Sequence, residues 1–238
     1  MNALQPMNVE SGLDAERDLL DRVHAGTVDC QLLFWRPRNQ ALVMPRRLSR
    51  LPGFAAAEAH CLSLGWPIAL RDTGGEPVPQ SPAVLNVALA YVLPRDENPQ
   101  TRLETAYLRL CDPLRDWLRG QGLTPALGEV PGAFCDGRYN VTLEQRKLVG
   151  TAQRWRRRPS DGRHLVLAHG AVLMENQRQV MVELVNAFYE HCGLDERCLA
   201  DSHIALDECL GNVWSRCASL AQGYRVALQA SGLQPSVD

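Results

Sequence analysis

The sequence predicts one α/β (α+β) domain: a single, mixed and mainly antiparallel sheet flanked by helices. Three observations carry this. Short apolar runs rich in strand formers alternate with segments of helical periodicity along the 238 residues. Successive strand-like runs stand too close together for helical crossovers, which favours antiparallel neighbours. No internal repeat or low-complexity linker splits the chain into separate units.

The elements follow in order. Residues 1–11 are polar and read as a flexible N-terminal tail, leaving 12–238 as the folded domain. A helix is expected over 13–25, where Leu13, Leu19, Leu20 and Val23 form one apolar stripe and Gly26 provides a stop. Residues 30–35 and 41–44 read as strands joined by a turn at 36–40, a hairpin candidate. A short helix falls within 52–65, and a strand at 67–70 runs directly into Arg71-Asp72-Thr73-Gly74-Gly75. Residues 84–93, bounded by prolines, read as a strand. Residues 99–118 read as an amphipathic helix on the spacing of Leu103, Ala106, Tyr107, Leu110, Leu114 and Leu118. Strands are expected at 140–143 and 148–153 around a turn at Glu144-Gln145, then a long strand or strand pair at 164–174. The basic run Arg154-Trp155-Arg156-Arg157-Arg158 between them reads as a solvated loop, placed to attract an acidic partner domain if it lies beside a site. A helix over 177–191 is closed by Gly193, and 199–230 reads as largely helical.

Composition narrows the function classes. A hydrophobic fraction of 45% and a charged fraction of 22% are those of an ordinary globular protein, and a chain of this size buries a core without disulfides or metals. A net charge of −2 speaks against nucleic acid as a partner. No apolar run is long enough to span a bilayer, so no membrane association is expected. The first residues lack the apolar core of a signal peptide, and the expected location is cytoplasmic. The eight cysteines are then expected as reduced thiols. No CxxC pair occurs, and His191, Cys192, Cys198, His203 and Cys209 match no standard zinc spacing, so no metal site is expected.

Three segments carry candidate chemistry. In the first, the strand ending at Leu70 enters a polar turn with Arg71, Thr73, Gly74, Gly75 and Val78. Glycines let a ligand approach the backbone closely, and Arg71 can pair with a carboxylate or phosphate. The second contains Cys135, Asp136, Arg138, Tyr139 and Asn140, followed by Lys147, Gly150, Thr151 and Ala152. A lysine in an apolar strand can place positive charge on an acyl carbonyl or a developing oxyanion. The third is His169-Gly170 inside an apolar run. Taken singly, these fit an ordinary Gly-Gly turn, a strand-edge lysine and a hydrogen-bonded structural histidine.

Taken together and in this order, the segments resemble the lipoate-protein ligases and octanoyl or lipoyl transferases, within the biotin/lipoate protein ligase superfamily. The resemblance rests on Arg71 to Gly75, on Leu85-Asn86, on Arg146 to Gln153 and on His169-Gly170, and spans about residues 13–186. It implies a biotin/lipoate protein ligase-like fold and an apolar tunnel for an eight-carbon acyl chain derived from lipoate or octanoate. Lys147 would contact the acyl carbonyl, and the residues just named, Asn86 included, would bind acyl group or nucleotide. The acceptor would be a lysine on a lipoyl domain, as in the glycine cleavage H protein or the E2 subunits of 2-oxoacid dehydrogenases, with acyl carrier protein as a further donor. No tightly bound cofactor is expected.

The same resemblance leaves the activation step open. A Cys-x-Gly-x-Tyr stretch like that around Cys135 occurs in octanoyl transferases that form an acyl-thioester, which makes Cys135 the expected nucleophile. Alternatives are an ATP- and Mg2+-dependent ligase acting through an acyl-adenylate, a thioester on Cys192, and a non-catalytic lipoyl binder. Two departures from the family pattern bear on nucleotide contacts: Glu76 stands where a third glycine is usual, and Pro79-Gln80 replaces the histidine some ligases carry. The extra C-terminal domain of the larger ligases is not expected here.

Overall fold

The computed structural model describes residues 4–236, and its core is a seven-stranded sheet with helices on both faces. In chain order the described elements are β1 (Gln5–Met7), α1 (Val9–Ala25), β2 (Cys30–Pro37), β3 (Ala41–Pro45), α2 (Phe54–Ser63), β4 (Ile68–Arg71), β5 (Val78–Gln80), β6 (Val84–Val92), α3 (Arg102–Gly120), β7 (Ala126–Leu127), β8 (Val141–Leu143), β9 (Arg146–Arg157), β10 (His164–Leu173), α4 (Arg178–His191) and α5 (Cys217–Ala230). The large sheet runs β1-β2-β6-β10-β9-β8-β7, antiparallel except for the β1/β2 pair. A second sheet, β4-β3-β5, pairs β3 parallel to β4 and antiparallel to β5.

Each face of the large sheet has its own helical cover. Residues of α3 and α5, including Leu110, Leu114, Leu220 and Tyr224, pack with Phe34, Leu89, Val149 and Val166. On the opposite face Leu20 and Val23 of α1 pack with Trp35, Ala88 and Leu167. The smaller sheet is covered by α2 and α4, where Ala57, Cys61, Val185 and Phe188 meet Leu42 and Met44. α1 sits close because of one glycine. A Cβ at Gly12 would lie 2.4 Å from the Trp35 ring.

Several expectations are corrected. Residues 4–11 are not a tail. Gln5–Met7 pairs with β2 from Trp35 to Pro37, and α1 starts at Val9, which is fully buried and donates its N–H to Asn39 Oδ1 at 2.8 Å. Residues 1–3 lie outside the described residues. β2 and β3 do not form a hairpin. β2 is flanked by β1 and β6, and β3, buried along its whole length, serves as the centre of the second sheet. Residues 199–230 are helical only from Cys217. Before it come three short 3-10 turns, Ala200–Ser202, Leu206–Glu208 and Val213–Arg216, with Asn212 at φ +51° breaking any regular helix. Of the two readings left open for 164–174, the single long strand is the one observed, over His164–Leu173. The basic run after Gln153 continues β9 instead of forming a loop. Among the described residues no helix is long and apolar enough to cross a membrane.

Candidate active site

Lys147 is the second residue of β9 and faces inward between β8 and the loop that carries Phe134 and Cys135. It is 3% exposed, and its Nζ donates to the carbonyl oxygens of Phe134 and Cys135, each at 2.6 Å. Burial pulls its ammonium down to about 8, while the neighbouring Cys135 and Asp136 act in the opposite direction. The side chain has room because residue 150 is glycine: a Cβ there would lie 3.1 Å from both Cε and Nζ of Lys147.

The Phe134–Cys135 peptide is held from its other side by His203. The Phe134 N–H donates to His203 Nε2 at 3.1 Å, and His203 Nδ1 donates to Leu199 O at 2.9 Å, which fixes one neutral tautomer. Burial, then the Lys147 charge, push that imidazole down to about 4. The ring stacks on Phe134 at 4.0 Å, and His203 lies against Lys147 in a parallel β-bridge.

Cys135 itself sits at φ +56°, half-buried, and its Sγ accepts the backbone N–H of Glu76 at 3.2 Å. The glycine turn is tied down by Arg71, whose Nη2 donates to Gly74 O at 3.0 Å and Glu76 O at 2.9 Å. Burial lowers the Arg71 guanidinium from its ordinary value, opposed by Cys135 and Glu16. Gly75 has φ +101°, and a Cβ there would meet Cys135 Sγ at 2.7 Å and Arg71 Nη2 at 2.9 Å. Turn, guanidinium and sulfur therefore close on one point. The Glu76 side chain turns outward to pair with Arg47.

Beyond Cys135 a narrow cleft runs between α1 and the sheets, lined among others by Trp35, Val43, Val78, Thr151, Ala152 and Ala171. Its far end is polar. Glu16 is 4% exposed and accepts the Trp35 Nε1–H at 2.9 Å, and burial pushes its carboxyl up to about 7. His169 Nδ1 lies 3.3 Å from Glu16 Oε2, and its Nε2 lies 3.0 Å from Thr73 Oγ1. Burial, then Arg71, push that imidazole down to about 3. A neutral His169 makes its contact to Glu16 a hydrogen bond at neutral pH, not an ion pair. Gln80 and Asn86 form a reciprocal amide pair at 3.1 and 2.8 Å on the same wall. A second small, mainly apolar pocket shares Val78, Gly150 and Ala171 with the cleft and reaches Phe134, Lys147, Met181 and His203.

The fold thus gathers Arg71, Thr73, Gly75, Val78, Asn86, Cys135, Lys147, Gly150, Thr151, Ala152 and His169 around one cleft. Other expected residues lie off it. Gly170 alternates with His169 along β10 and faces Val149 and Leu110 instead. Gly74 lies on the open side of the turn, where a Cβ would meet nothing within 4 Å. Asp136 accepts the Val130 N–H and the Asn140 side-chain amide, so both residues brace the Cys135 loop from behind. Arg138 is exposed over the Tyr139 ring. Cys192 ends α4 in the core against α2, and burial raises its thiol. Glu16, Trp35, Gln80 and His203 were not anticipated. Only Glu16 left a usable signal, since it falls on the stripe of Leu13, Leu20 and Val23 that α1 buries.

The lipoyl protein ligase A/B catalytic domain family matches residues 8–214. The chain belongs to that family. Among relatives of this lipoyl ligase family member, an uncharacterised protein of Cupriavidus necator is 40% identical over 187 residues, covering 74% of this chain and 72% of the other. An octanoyl-[GcvH]:protein N-octanoyltransferase of Kyrpidia tusciae is 35% identical over 130 residues, covering 53% of this chain and 44% of the transferase. The matched region therefore spans less than half of that transferase. The fold is that of lipoate-protein ligase A bound with ATP, with a TM-score of 0.69 at 14% identity over 99% of this chain and 86% of the ligase. A bi-partite lipoate protein ligase of Thermoplasma acidophilum aligns at a TM-score of 0.66 and 15% identity, over 99% of this chain and 84% of that one. The expected α/β architecture of this family, with its mainly antiparallel sheet, is the one observed.

Proposed function

We propose that this protein is an acyltransferase that carries an octanoyl or lipoyl group as a thioester on Cys135 and delivers it to a lysine of a lipoyl-domain protein. One observation carries the reading. The Cys135 sulfur sits at the cleft, on the Glu76 N–H, while Lys147 holds the carbonyl of the same residue. A thiol, a backbone N–H and a buried cation are thus tied to one residue at the cleft, which supports this reading.

The chemistry proceeds in two balanced steps. The sulfur attacks the carbonyl carbon of the donor's acyl group, and the thiol proton passes to the departing amine or thiolate of the donor. The acceptor lysine amine then attacks the thioester carbonyl, the C–S bond breaks, and the sulfur recovers a proton. In each step Lys147 swings from the Phe134 and Cys135 carbonyls to the acyl oxygen and stabilises its developing charge. At neutral pH the ammonium is mainly protonated, because burial lowers it only to about 8.

The Kyrpidia relative names octanoyl-GcvH as a donor, and the Thermoplasma structure pairs its ligase with an E2 lipoyl domain. We therefore assign the glycine cleavage H protein and E2 lipoyl domains as partners, with acyl carrier protein as an alternative donor. All cysteines of the chain are free thiols, which suits a reducing cytoplasm.

The test is intact-mass analysis after incubation with octanoyl-loaded H protein or octanoyl acyl carrier protein, without ATP. An octanoyl adduct, cleaved by hydroxylamine and absent in Cys135→Ala, is expected. No adduct, with lipoyl-domain modification appearing only when ATP and free acid are added, would overturn the thioester reading in favour of a ligase.

A further inference from the structure

We propose that His203 is the positioning residue that keeps the Cys135 loop in register while Lys147 is occupied with the acyl group; this rests on the thioester reading above. The backbone of Phe134 and Cys135 is gripped at three points. Lys147 takes the two carbonyls, at 2.6 Å each, and His203 Nε2 takes the Phe134 N–H at 3.1 Å. The stacking of His203 on Phe134 at 4.0 Å adds a fourth contact from the same residue.

During each acyl step Lys147 must release at least one carbonyl to reach the acyl oxygen. The loop then loses its cation at the moment when Cys135 has to stay aimed. Cys135 has no regular element to hold it, and its φ of +56° lies in a region that a non-glycine residue occupies only when its surroundings impose it. Asp136 still braces the loop from behind, and His203 is the side chain that holds the Phe134 N–H beside the released carbonyls. It is anchored through Nδ1–H to Leu199 O and, by its own backbone, through the Ile204 N–H to Lys147 O at 3.0 Å. Because Nδ1 is committed as a donor, Nε2 is necessarily an acceptor, and it cannot compete with Lys147 for the carbonyls. His203 is 1% exposed, so its bond to the Phe134 N–H is shielded from water.

The role predicts a specific pattern of substitutions. Gln places an acceptor oxygen near the position of Nε2, whereas Asn places it one bond short and Leu has none. Wild type, His203→Gln, His203→Asn and His203→Leu are compared by single-turnover octanoylation from octanoyl H protein and by the pH profile of iodoacetamide alkylation of Cys135, read by peptide mass. Leu and Asn are expected to slow thioester formation roughly 10- to 100-fold, as a misaimed nucleophile does, with little change in the apparent donor KM. Gln is expected to stay within about threefold of wild type. The alkylation profile of Asn and Leu should move relative to wild type, and that of Gln should not.

Equal slowing in Gln and Asn, or rates near wild type in Leu and Asn, would reduce His203 to packing. If Leu fails to fold, the Gln–Asn comparison decides alone. If wild type forms no octanoyl adduct, the thioester reading fails, and the alkylation profiles still report whether His203 aims Cys135.

Discussion

The ammonium of Lys147 and the carbonyl of Cys135 share a hydrogen bond of 2.6 Å, so the buried cation and the proposed nucleophile are connected through one backbone group. Removing the cation is expected to act on both. Lys147→Ala should lower the rate of octanoyl-adduct formation by about 100- to 1,000-fold, the range found when an oxyanion-stabilising donor is deleted. It also strands the Phe134 and Cys135 carbonyls, adding about 1–3 kcal/mol of destabilisation. Intact-mass kinetics and urea unfolding measure the two effects separately; an unchanged adduct rate would remove Lys147 from the chemistry.

Gly75 and Gly150 make room at the site in different ways, and their alanine variants should separate. At Gly75 the added methyl meets the Cys135 sulfur at 2.7 Å, and φ is +101°. Gly75→Ala is expected to lose adduct formation and about 1–3 kcal/mol of stability. At Gly150 the methyl meets the end of the Lys147 side chain at 3.1 Å. Gly150→Ala should slow the reaction roughly tenfold while costing less than about 1 kcal/mol, because the crowded atoms belong to a side chain. Similar activity in both variants would contradict the geometry.

Gly12→Ala tests how α1 seats on the sheet. Alanine in a helix interior ordinarily gains about 0.5–1 kcal/mol over glycine. Here its Cβ would lie 2.4 Å from the ring of buried Trp35. Overpacking of this kind costs about 1–3 kcal/mol, so net destabilisation is expected. A higher thermal midpoint than wild type would show that α1 can shift outward freely.

Stability should respond to pH through Glu16. Its carboxyl rises from 4.5 to about 7 on folding, mainly by burial. Between those values the folded chain keeps a proton that the unfolded chain has released, so stability falls as pH rises through that window. His169 and His203, held near 3 and 4, work the other way and add stability as pH climbs toward 6.5. The difference between wild type and Glu16→Gln isolates the carboxyl. The variant should gain on wild type by up to about 3 kcal/mol between pH 4.5 and 8, measured by urea unfolding. A pH-independent difference would mean that Glu16 titrates normally.

The strands and helices that one hydrophobic pattern defines were legible in the sequence: β6, α3, α4 and the hairpin of β8 and β9. In that last case Glu144 and Gln145, both at positive φ, form the turn that the sequence places there. Pairing partners were less legible. The turn between β2 and β3 looks like a hairpin locally, and only competition from β1 and β6 for both edges of β2 sends β3 into the other sheet. The site divided along the same line. Lys147, Gly150 and Arg71 stand in local motifs. His203 lies 56 residues beyond Lys147 and reaches it by a single β-bridge, a relation that no local spacing encodes. The run Arg154–Arg158 reads locally as a charged surface open to a partner. Three of its four arginines instead have carboxylates of this chain: Arg154 with Asp72, Arg156 with Asp21, and Arg158 with Asp29 and Asp161.

The left-handed backbone at Cys135 sets the proposed thiol chemistry against foldability at a single Cα. Most residue types other than glycine, cysteine included, are strained there by about 1–2 kcal/mol. The replacement that would relax the loop most is therefore one that deletes the thiol. A glycine here would ease the backbone and remove the sulfur in the same stroke, so local strain and the proposed thioester chemistry cannot be optimised together.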